Sequence, residues 1–374
     1  MSSTGFVWHE KYMWHDTGNA LGVLPVSGDF QPWIHFENPD TKRRLKNLMD
    51  AYGFSDRLKT IEPFSASVEQ ICRVHTPEYV EHIKQLSADK GGNAGESAPF
   101  GPGSYEIALL ATGGAIAAGN AVLDGDIRNA YALVRPCGHH AEADQGRGFC
   151  IFSNVAIAAK EFLLRDSINK IAVVDWDVHH GNGTESAFYD DPSVLTISLH
   201  EDSLYPYNTG AISDHGEGEG EGFNINIPLP PGCGGGAYKE AFASIVMPAL
   251  NLFKPDMILV ANGLDASTWD PLGHMMLLSN HYRHMAAELV NAANALCDGR
   301  LLVCHEGGYS AGYVPFCGIA IMEALSGEES GVIDPFARYE NHWHGVQENQ
   351  QTAIDAAKEA SLVLLKNKLQ SAVS

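Results

Sequence analysis

Basic residues are scarce in this chain. Lysine and arginine number 24 against 46 aspartates and glutamates, a formal charge of −22 over 374 residues. No Lys/Arg cluster offsets that excess, and such a surface repels nucleic-acid phosphates, so no nucleic-acid partner is expected. A basic substrate, such as a lysine-bearing peptide or an amine, would be attracted, although the same charge also serves solubility. Paired cysteine motifs are missing too. Seven cysteines stand scattered at 72, 137, 150, 233, 297, 304 and 317 with no C-x-x-C among them. That excludes a thiolate zinc cage of the usual spacing and gives no disulfide framework. The opening MSSTGFVWHEKYMWHD has no basic segment followed by an apolar core, so no signal peptide is expected. No stretch reads as the roughly 20 apolar residues of a membrane span. The plain expectation is a cytoplasmic protein with no membrane partner. Internal repeats are absent as well.

What is present is globular composition, 45% hydrophobic and 19% charged, in a chain long enough for a large core. Short apolar runs alternate with longer helical patterns. Candidate strands are YALV (131–134), IAVV (171–174), VLTI (194–197), MILVA (257–261) and LLVC (301–304). Their unbroken apolar character suits strands buried on both faces of a parallel sheet. Candidate helices cover 104–123, 154–166, 237–253 and 281–297, and Thr76 with Pro77 makes a plausible helix start. Strand and helix in alternation indicate an open α/β sheet. The stretches 89–104 and 213–223, rich in glycine, read as exposed loops.

The unusual polar clusters follow the strands. After YALV comes RPCGHH, after IAVV comes DWDVHHGNG, NGLD follows MILVA, and HEGGY follows LLVC. Ligands of open parallel sheets bind outside the carboxyl ends of the strands. The clusters span 135–309, so no cut between them leaves a functional half, and one domain over 1–374 is expected.

In DWDVHH, Asp177 and His179 stand two apart. If the strand continues briefly, both side chains project to one side and can share a metal. A lone D-x-H is ordinarily a surface turn; here a buried strand precedes it and glycines follow. A third ligand must come from another strand end, and Asp265 in NGLDAS is the best candidate, its bland alternative being a helix N-cap. Two carboxylates and an imidazole suit Zn²⁺, with Fe²⁺ or Co²⁺ also compatible. In PCGHH, His139 and His140 are the next signal: one neutral histidine could take a proton from a metal-activated water and pass it to a leaving group. Such a histidine needs a partner on its other nitrogen, and Asp175 and Asn182 are the candidates. In EGGYS, two glycines before Tyr309 let its phenol reach an oxyanion.

The strings RPCGHHAEADQGRGFCIFSNVAIAAK (135–160), VVDWDVHHGNGTESAFYDDPSVLTISLH (173–200), NGLDASTWDPLG (262–273) and HEGGYS (305–310) together resemble the zinc-dependent histone deacetylase family. The likeness is to its class II branch and the bacterial histone deacetylase-like amidohydrolases, and it covers most of the chain. It implies an arginase-deacetylase fold, a single eight-stranded parallel sheet with helices on both faces. It implies removal of acetyl or other short acyl groups from lysine side chains or related amides. By resemblance, Asp177, His179 and Asp265 hold zinc, and His140 is base and then acid. His139 is an electrostatic histidine paired with Asp175, and Tyr309 polarises the carbonyl. Gly148 and Phe149 line an acyl-lysine tunnel facing Tyr205. A structural K⁺ would use Asp175, Asp177 and His179 with Ser198 and Leu199. A second K⁺ would use main-chain oxygens near Phe188, Asp191, Val194 and Phe223. A homo-oligomer, dimer or tetramer, belongs to the same expectation. Asn182 stands where the class I branch has aspartate, Cys137 replaces a usual proline, and Tyr205 a usual phenylalanine.

Three other functions compete. Polyamine-preferring relatives of the fold can carry an acid in the D-P-x-G string, where this chain has Leu272. A binuclear, arginase-like hydrolase needs an aspartate two after Asp265, where Ser267 stands. A non-catalytic acyl-lysine binding module would be expected to have lost Tyr309, a histidine or a ligand, and this chain has lost none.

Overall fold

The computed structural model describes residues 3–339 and 345–371 of the chain, so 1–2, 340–344 and 372–374 of the expected domain lie outside it. An eight-stranded, all-parallel sheet forms its centre. In chain order the strands are β1 (Thr4–Val7), β2 (Lys59–Ile61), β3 (Asn129–Ala132) and β4 (Ile171–Asp175). They continue as β5 (Val194–Glu201), β6 (Asn224–Leu229), β7 (Met257–Asn262) and β8 (Leu301–His305). Across the sheet the order is β6-β5-β4-β7-β8-β3-β1-β2.

Strand periodicity sorts the core into two layers. In β4, Ala172 and Val174 pack on one side of the sheet, Ile171 and Val173 on the other. The same alternation runs through β7, where Ile258 and Val260 oppose Met257, Leu259 and Ala261. The first layer is completed by helices Asp40–Ala51, Ser279–Leu296, Val314–Ser326 and Glu348–Ser371. The second is completed by Pro77–Ala88, Ser104–Leu123 and Asn154–Phe162. With both faces covered, β4, β7 and β8 are buried along their whole length, which is why they read as continuous apolar runs.

Several boundaries differ from the sequence reading. The strand expected at 131–134 is Asn129–Ala132, because its neighbours register against those residues: Thr4–Val7 on one side and Leu301–Cys304 on the other. β1, β2 and β6 escaped notice because they are short or interrupted by polar residues, such as the asparagines of NINIPL. The helix expected over 237–253 holds a π-helical turn at Phe242–Val246, just ahead of Pro248, which has no N–H for the regular ladder. The expectation about apolar stretches needs correction as well. Ser104–Leu123 is long and apolar enough by length and composition to cross a membrane, yet it packs as a core helix against Asn154–Phe162 and the sheet.

The strand order gathers the polar strings. β4, β7, β8 and β3 are neighbours, so the segments that follow them emerge side by side. A buried chain of hydrogen bonds ties these four ends together. Trp176 Nε1 donates to Asn262 Oδ1 (2.7 Å), Asn262 Nδ2 to the Tyr131 hydroxyl (2.8 Å), and that hydroxyl bonds His305 Nδ1 (2.9 Å). The network can fix register below the site, although His305 Nε2 at its end is buried without a hydrogen-bond partner.

Candidate active site

Asp177 and His179 follow β4, and Asp265 follows β7. One ligating atom from each lies within 4.8 Å of the others, and all three residues are buried. His179 Nδ1 is 3.0 Å from Asp177 Oδ1 and 3.3 Å from Asp265 Oδ2. Backbone donors orient the acids: Gly307 N–H donates to Asp177 Oδ2 (2.9 Å) and Val178 N–H to Asp265 Oδ1 (2.9 Å). Asp265 is therefore no helix cap; its second oxygen, buried and without a hydrogen-bond partner, points at the trio. Burial and the charge of Asp177 push the Asp265 carboxyl up to about 6. A cation between the two acids would relieve both the repulsion and the orphaned oxygen. A Cβ at Gly307 would overlap both carboxylates, so glycine is required there to leave the space open. The trio fits a divalent metal of zinc's preferences.

The histidine pair lies beside it. The rings of His139 and His140 are 3.9 Å apart, yet their surroundings differ. His139 Nδ1 bonds Asp175 Oδ2 (2.9 Å), and its Nε2 is 3.7 Å from Asp177 Oδ2. Burial works against a charge on His139, but Asp177 and Asp175 outweigh it and hold the ring well above the ordinary histidine value. His140 Nδ1 bonds Asn182 Oδ1 (2.8 Å). Asn182 Nδ2 donates to Glu142 Oε1 (2.6 Å) and the His140 carbonyl (3.2 Å), which leaves Asn182 Oδ1 as acceptor. His140 thus carries its proton on Nδ1 and offers a lone pair on Nε2. Burial, then the neighbouring charges of His139 and His179, hold it well below the ordinary value.

Above these groups opens a cleft of about 210 Å³. His140, His179 and Tyr309 reach it from below; Gly148, Phe149, Tyr205 and Leu272 form its wall. The Phe149 ring meets Tyr309 edge-on at 5.7 Å, and Tyr205 meets His140 edge-on at 5.1 Å. Gly148 has φ +47° and a Cβ there would overlap His140, so the wall can approach the base only with glycine at this place. Val23, Ser97, Leu204 and Tyr207 also line the cleft and were not foreseen. Every residue assigned to the site or the wall is thus brought together.

The residues expected to hold potassium are more dispersed. Ser198 lies opposite Asp175 in the β4–β5 ladder with Leu199 next to it. Phe188, Asp191, Val194 and Phe223 cluster at the start of β5. Main-chain oxygens of Phe188, Asp191 and Phe223 each accept a backbone N–H there. Lys160 Nζ pairs with Asp191 (2.8 Å) and stands 4.7 Å above the Phe188 ring.

Sequence reasoning missed five supporting residues. Glu306 Oε2 accepts from the backbone of Gly138 (2.6 Å) and His139 (3.1 Å), and burial pushes its carboxyl up to about 7. Asp270 accepts from the backbone of Tyr309 (2.7 Å) and Leu272 (2.9 Å); burial and the Asp265 charge push it up to about 8. Arg135 forks onto Glu37 (2.8 and 2.7 Å), and Lys42, 3.2 Å from the same acid, stands 5.7 Å from the Tyr309 ring. The available signal was position: Glu306 and Asp270 sit inside the HEGGYS and DPLG strings.

An all-parallel α/β sheet whose central strand ends surround a cleft with two acids, three histidines and a tyrosine has the arginase-deacetylase fold. The crystal structure of the HDA15 HD domain matches it with a TM-score of 0.86 at 29% identity, over 100% of this chain and 98% of that one. Residues 35–325 match the histone deacetylase domain, and the chain belongs to the histone deacetylase family. It is 49% identical to the histone deacetylase-like amidohydrolase of Pseudomonas aeruginosa, over 89% of this chain and 88% of that protein. It is 39% identical to a probable deacetylase of Archaeoglobus fulgidus, with 88% of each covered, and 36% identical to histone deacetylase 8 of Arabidopsis thaliana, with 94% of each covered. Membership supports deacetylase or amidohydrolase activity on an acylated substrate.

Proposed function

We propose that this protein is a zinc-dependent amidohydrolase that removes acetyl or other short acyl groups from lysine side chains or related amides. The observation that carries the reading is the orphaned Asp265 oxygen, aimed with Asp177 and His179 into the floor of a cleft that His140 and Tyr309 also reach. Asp177, His179 and Asp265 would hold Zn²⁺, which when bound supplies Lewis acidity toward a carbonyl and acidifies water. His140 accepts the proton of the attacking water on Nε2, its Nδ1–H held by Asn182, and returns that proton to the leaving amine. His139, charged and paired with Asp175, balances the two acids beside it. Tyr309 donates its hydroxyl to the oxyanion, its backbone held by Asp270. Phe149, Tyr205 and Leu272 admit an apolar aliphatic chain and exclude water.

Uncharged Leu272 in the wall favours acyl-lysine over acetylpolyamines. Asn182 supports the class II branch. One domain over 1–374, a structural K⁺ beside Asp175 and Ser198, a homo-oligomer (dimer or tetramer) and a cytoplasmic setting are part of the same proposal; seven free cysteines suit a reducing compartment. The test is purified protein against acyl-lysine peptides, acetylpolyamines and simple esters, each with and without chelator. Chelator-sensitive cleavage of acyl-lysine is expected. Chelator-resistant turnover, or preference for polyamines, overturns it.

A further inference from the structure

Behind the cleft wall lies a second group of ligating atoms that the chemistry above does not use. The sulfurs of Cys137 and Cys150 and a carboxylate oxygen of Glu306 all lie within 4.8 Å of one another. Cys137 is 5% exposed, Cys150 0% and Glu306 1%. The two sulfurs are 3.3 Å apart. The Gly148 carbonyl oxygen faces both, 3.5 Å from Cys150 Sγ and 3.8 Å from Cys137 Sγ. Glu306 Oε2 is occupied by the backbone N–H groups of Gly138 and His139, but Oε1 is buried with no hydrogen-bond partner. A buried carboxylate oxygen left bare is costly unless something answers it.

We propose that Cys137, Cys150 and Glu306, with the Gly148 carbonyl as fourth donor, form a second metal site for a thiophilic divalent cation, Zn²⁺ before others. The sulfur spacing favours a shared ion over a disulfide. Zn–S bonds of about 2.3 Å put two thiolates on one tetrahedral ion roughly 3.8 Å apart. A disulfide needs about 2.05 Å. The observed 3.3 Å must open by about 0.5 Å for the metal and close by more than 1 Å for the bond. Two thiols and a carboxylate also select a borderline-soft cation over Mg²⁺ or Ca²⁺.

Binding exchanges protons for the ion. Burial holds the Cys150 thiol well above its ordinary value, so it keeps its proton until a cation displaces it. The two thiol protons leave to solvent as two metal–sulfur bonds form, and a proton on Glu306 leaves when its oxygen joins. Affinity therefore rises with pH. The site differs from the Asp177–His179–Asp265 trio in containing sulfur. It would link the wall residue Gly148 to Glu306, the acid that orients the His139 turn.

Cadmium is the probe, because thiolate-to-cadmium charge transfer absorbs in the ultraviolet and carboxylate or imidazole ligation does not reproduce it. Metal-stripped full-length protein, kept reduced with a phosphine, is titrated with Cd²⁺ while bound ions per chain are counted. Wild type should develop the thiolate band, complete at one sulfur-bound ion per chain. Asp265→Ala should keep that band while binding one ion fewer, which separates this site from the proposed catalytic one. Cys137→Ser should lose the band, with its folding checked by circular dichroism, and Cys137→Ala should repeat the result. Glu306→Gln should keep a band but bind at least tenfold more weakly. A wild type without the band, or a Cys137→Ser protein with an unchanged band and affinity, overturns the assignment.

Discussion

The floor and the wall of the cleft are built on opposite principles. The floor is dense with ionisable groups, each aimed by a hydrogen bond: His139 by Asp175, His140 by Asn182, Asp177 by Gly307 and Asp265 by Val178. The wall of Phe149, Tyr205 and Leu272 carries no charge and meets the floor through ring edges. Within the floor, two adjacent histidines are pushed in opposite directions: the carboxylates of Asp177 and Asp175 raise His139, whereas burial and the charge of its neighbour lower His140. On the proposed function, chemistry belongs to the floor, where a proton misplaced by one residue matters, and selection among substrates belongs to the wall. Changes below should lower turnover of every substrate together, whereas changes above should alter ratios.

The largest effect is expected where the floor is held. Asp265→Ala, or chelation, should abolish turnover on every acyl substrate while circular dichroism reports an intact fold; near-normal rates in either case would break the assignment of the metal centre. Next comes Tyr309→Phe, at the seam between floor and wall. Losing one oxyanion donor should lower kcat by roughly 10²–10³, with metal content unchanged by elemental analysis. Full activity would make Tyr309 structural. Leu272→Glu tests the wall. Charge-assisted contacts are worth about 1.5–3 kcal/mol, so the ratio of kcat/KM for acetylpolyamine over acetyl-lysine peptide should rise roughly tenfold for each 1.4 kcal/mol gained. An unmoved ratio in an active enzyme would remove the distinction drawn above.

The smallest effect concerns pH. The proposed base must be neutral, and His140 is held below the ordinary value of 6.5 by burial and by the charge of His139 beside it. As pH falls, the neutral form therefore survives past 6.5, and the acid limb of kcat/KM should lie below that pH. Asn182→Asp would give His140 the kind of partner His139 has, favouring the cation and moving the limb upward by about one unit, tenfold in rate on the acid side. A limb at or above 6.5 in wild type, or one that Asn182→Asp leaves in place, would show that the two histidines are not set apart by their partners.

Much of the floor was legible because metal and proton chemistry admits few residue types, and strand geometry makes their spacing meaningful. Asp177 and His179 are two apart, and Asp265 stands in the NGLD string that follows the apolar run MILVA. The wall was legible only through resemblance, since Phe149, Tyr205 and Leu272 could equally have been core residues. The supports were not legible. Nothing in the string around Asp270 says that its carboxylate holds the Tyr309 backbone, and a cysteine in place of proline at 137 gave no sign of a second sulfur 3.3 Å away.

By itself the sequence determined the strand periodicity, the two-faced burial of β4, β7 and β8, and the identity of the groups that can ligate or move protons. These depend on neighbours along the chain, where side-chain alternation and apolar runs act locally. Tertiary structure alone decided that β4 lies next to β7 although some 80 residues separate them. It alone decided that Asn182 presents its oxygen, not its nitrogen, to His140, because Glu142 and the His140 carbonyl claim the nitrogen. It alone pushed His139 up and His140 down, since the pKa of a buried group follows the charges packed around it and the loss of water, and neither is written in the order of residues.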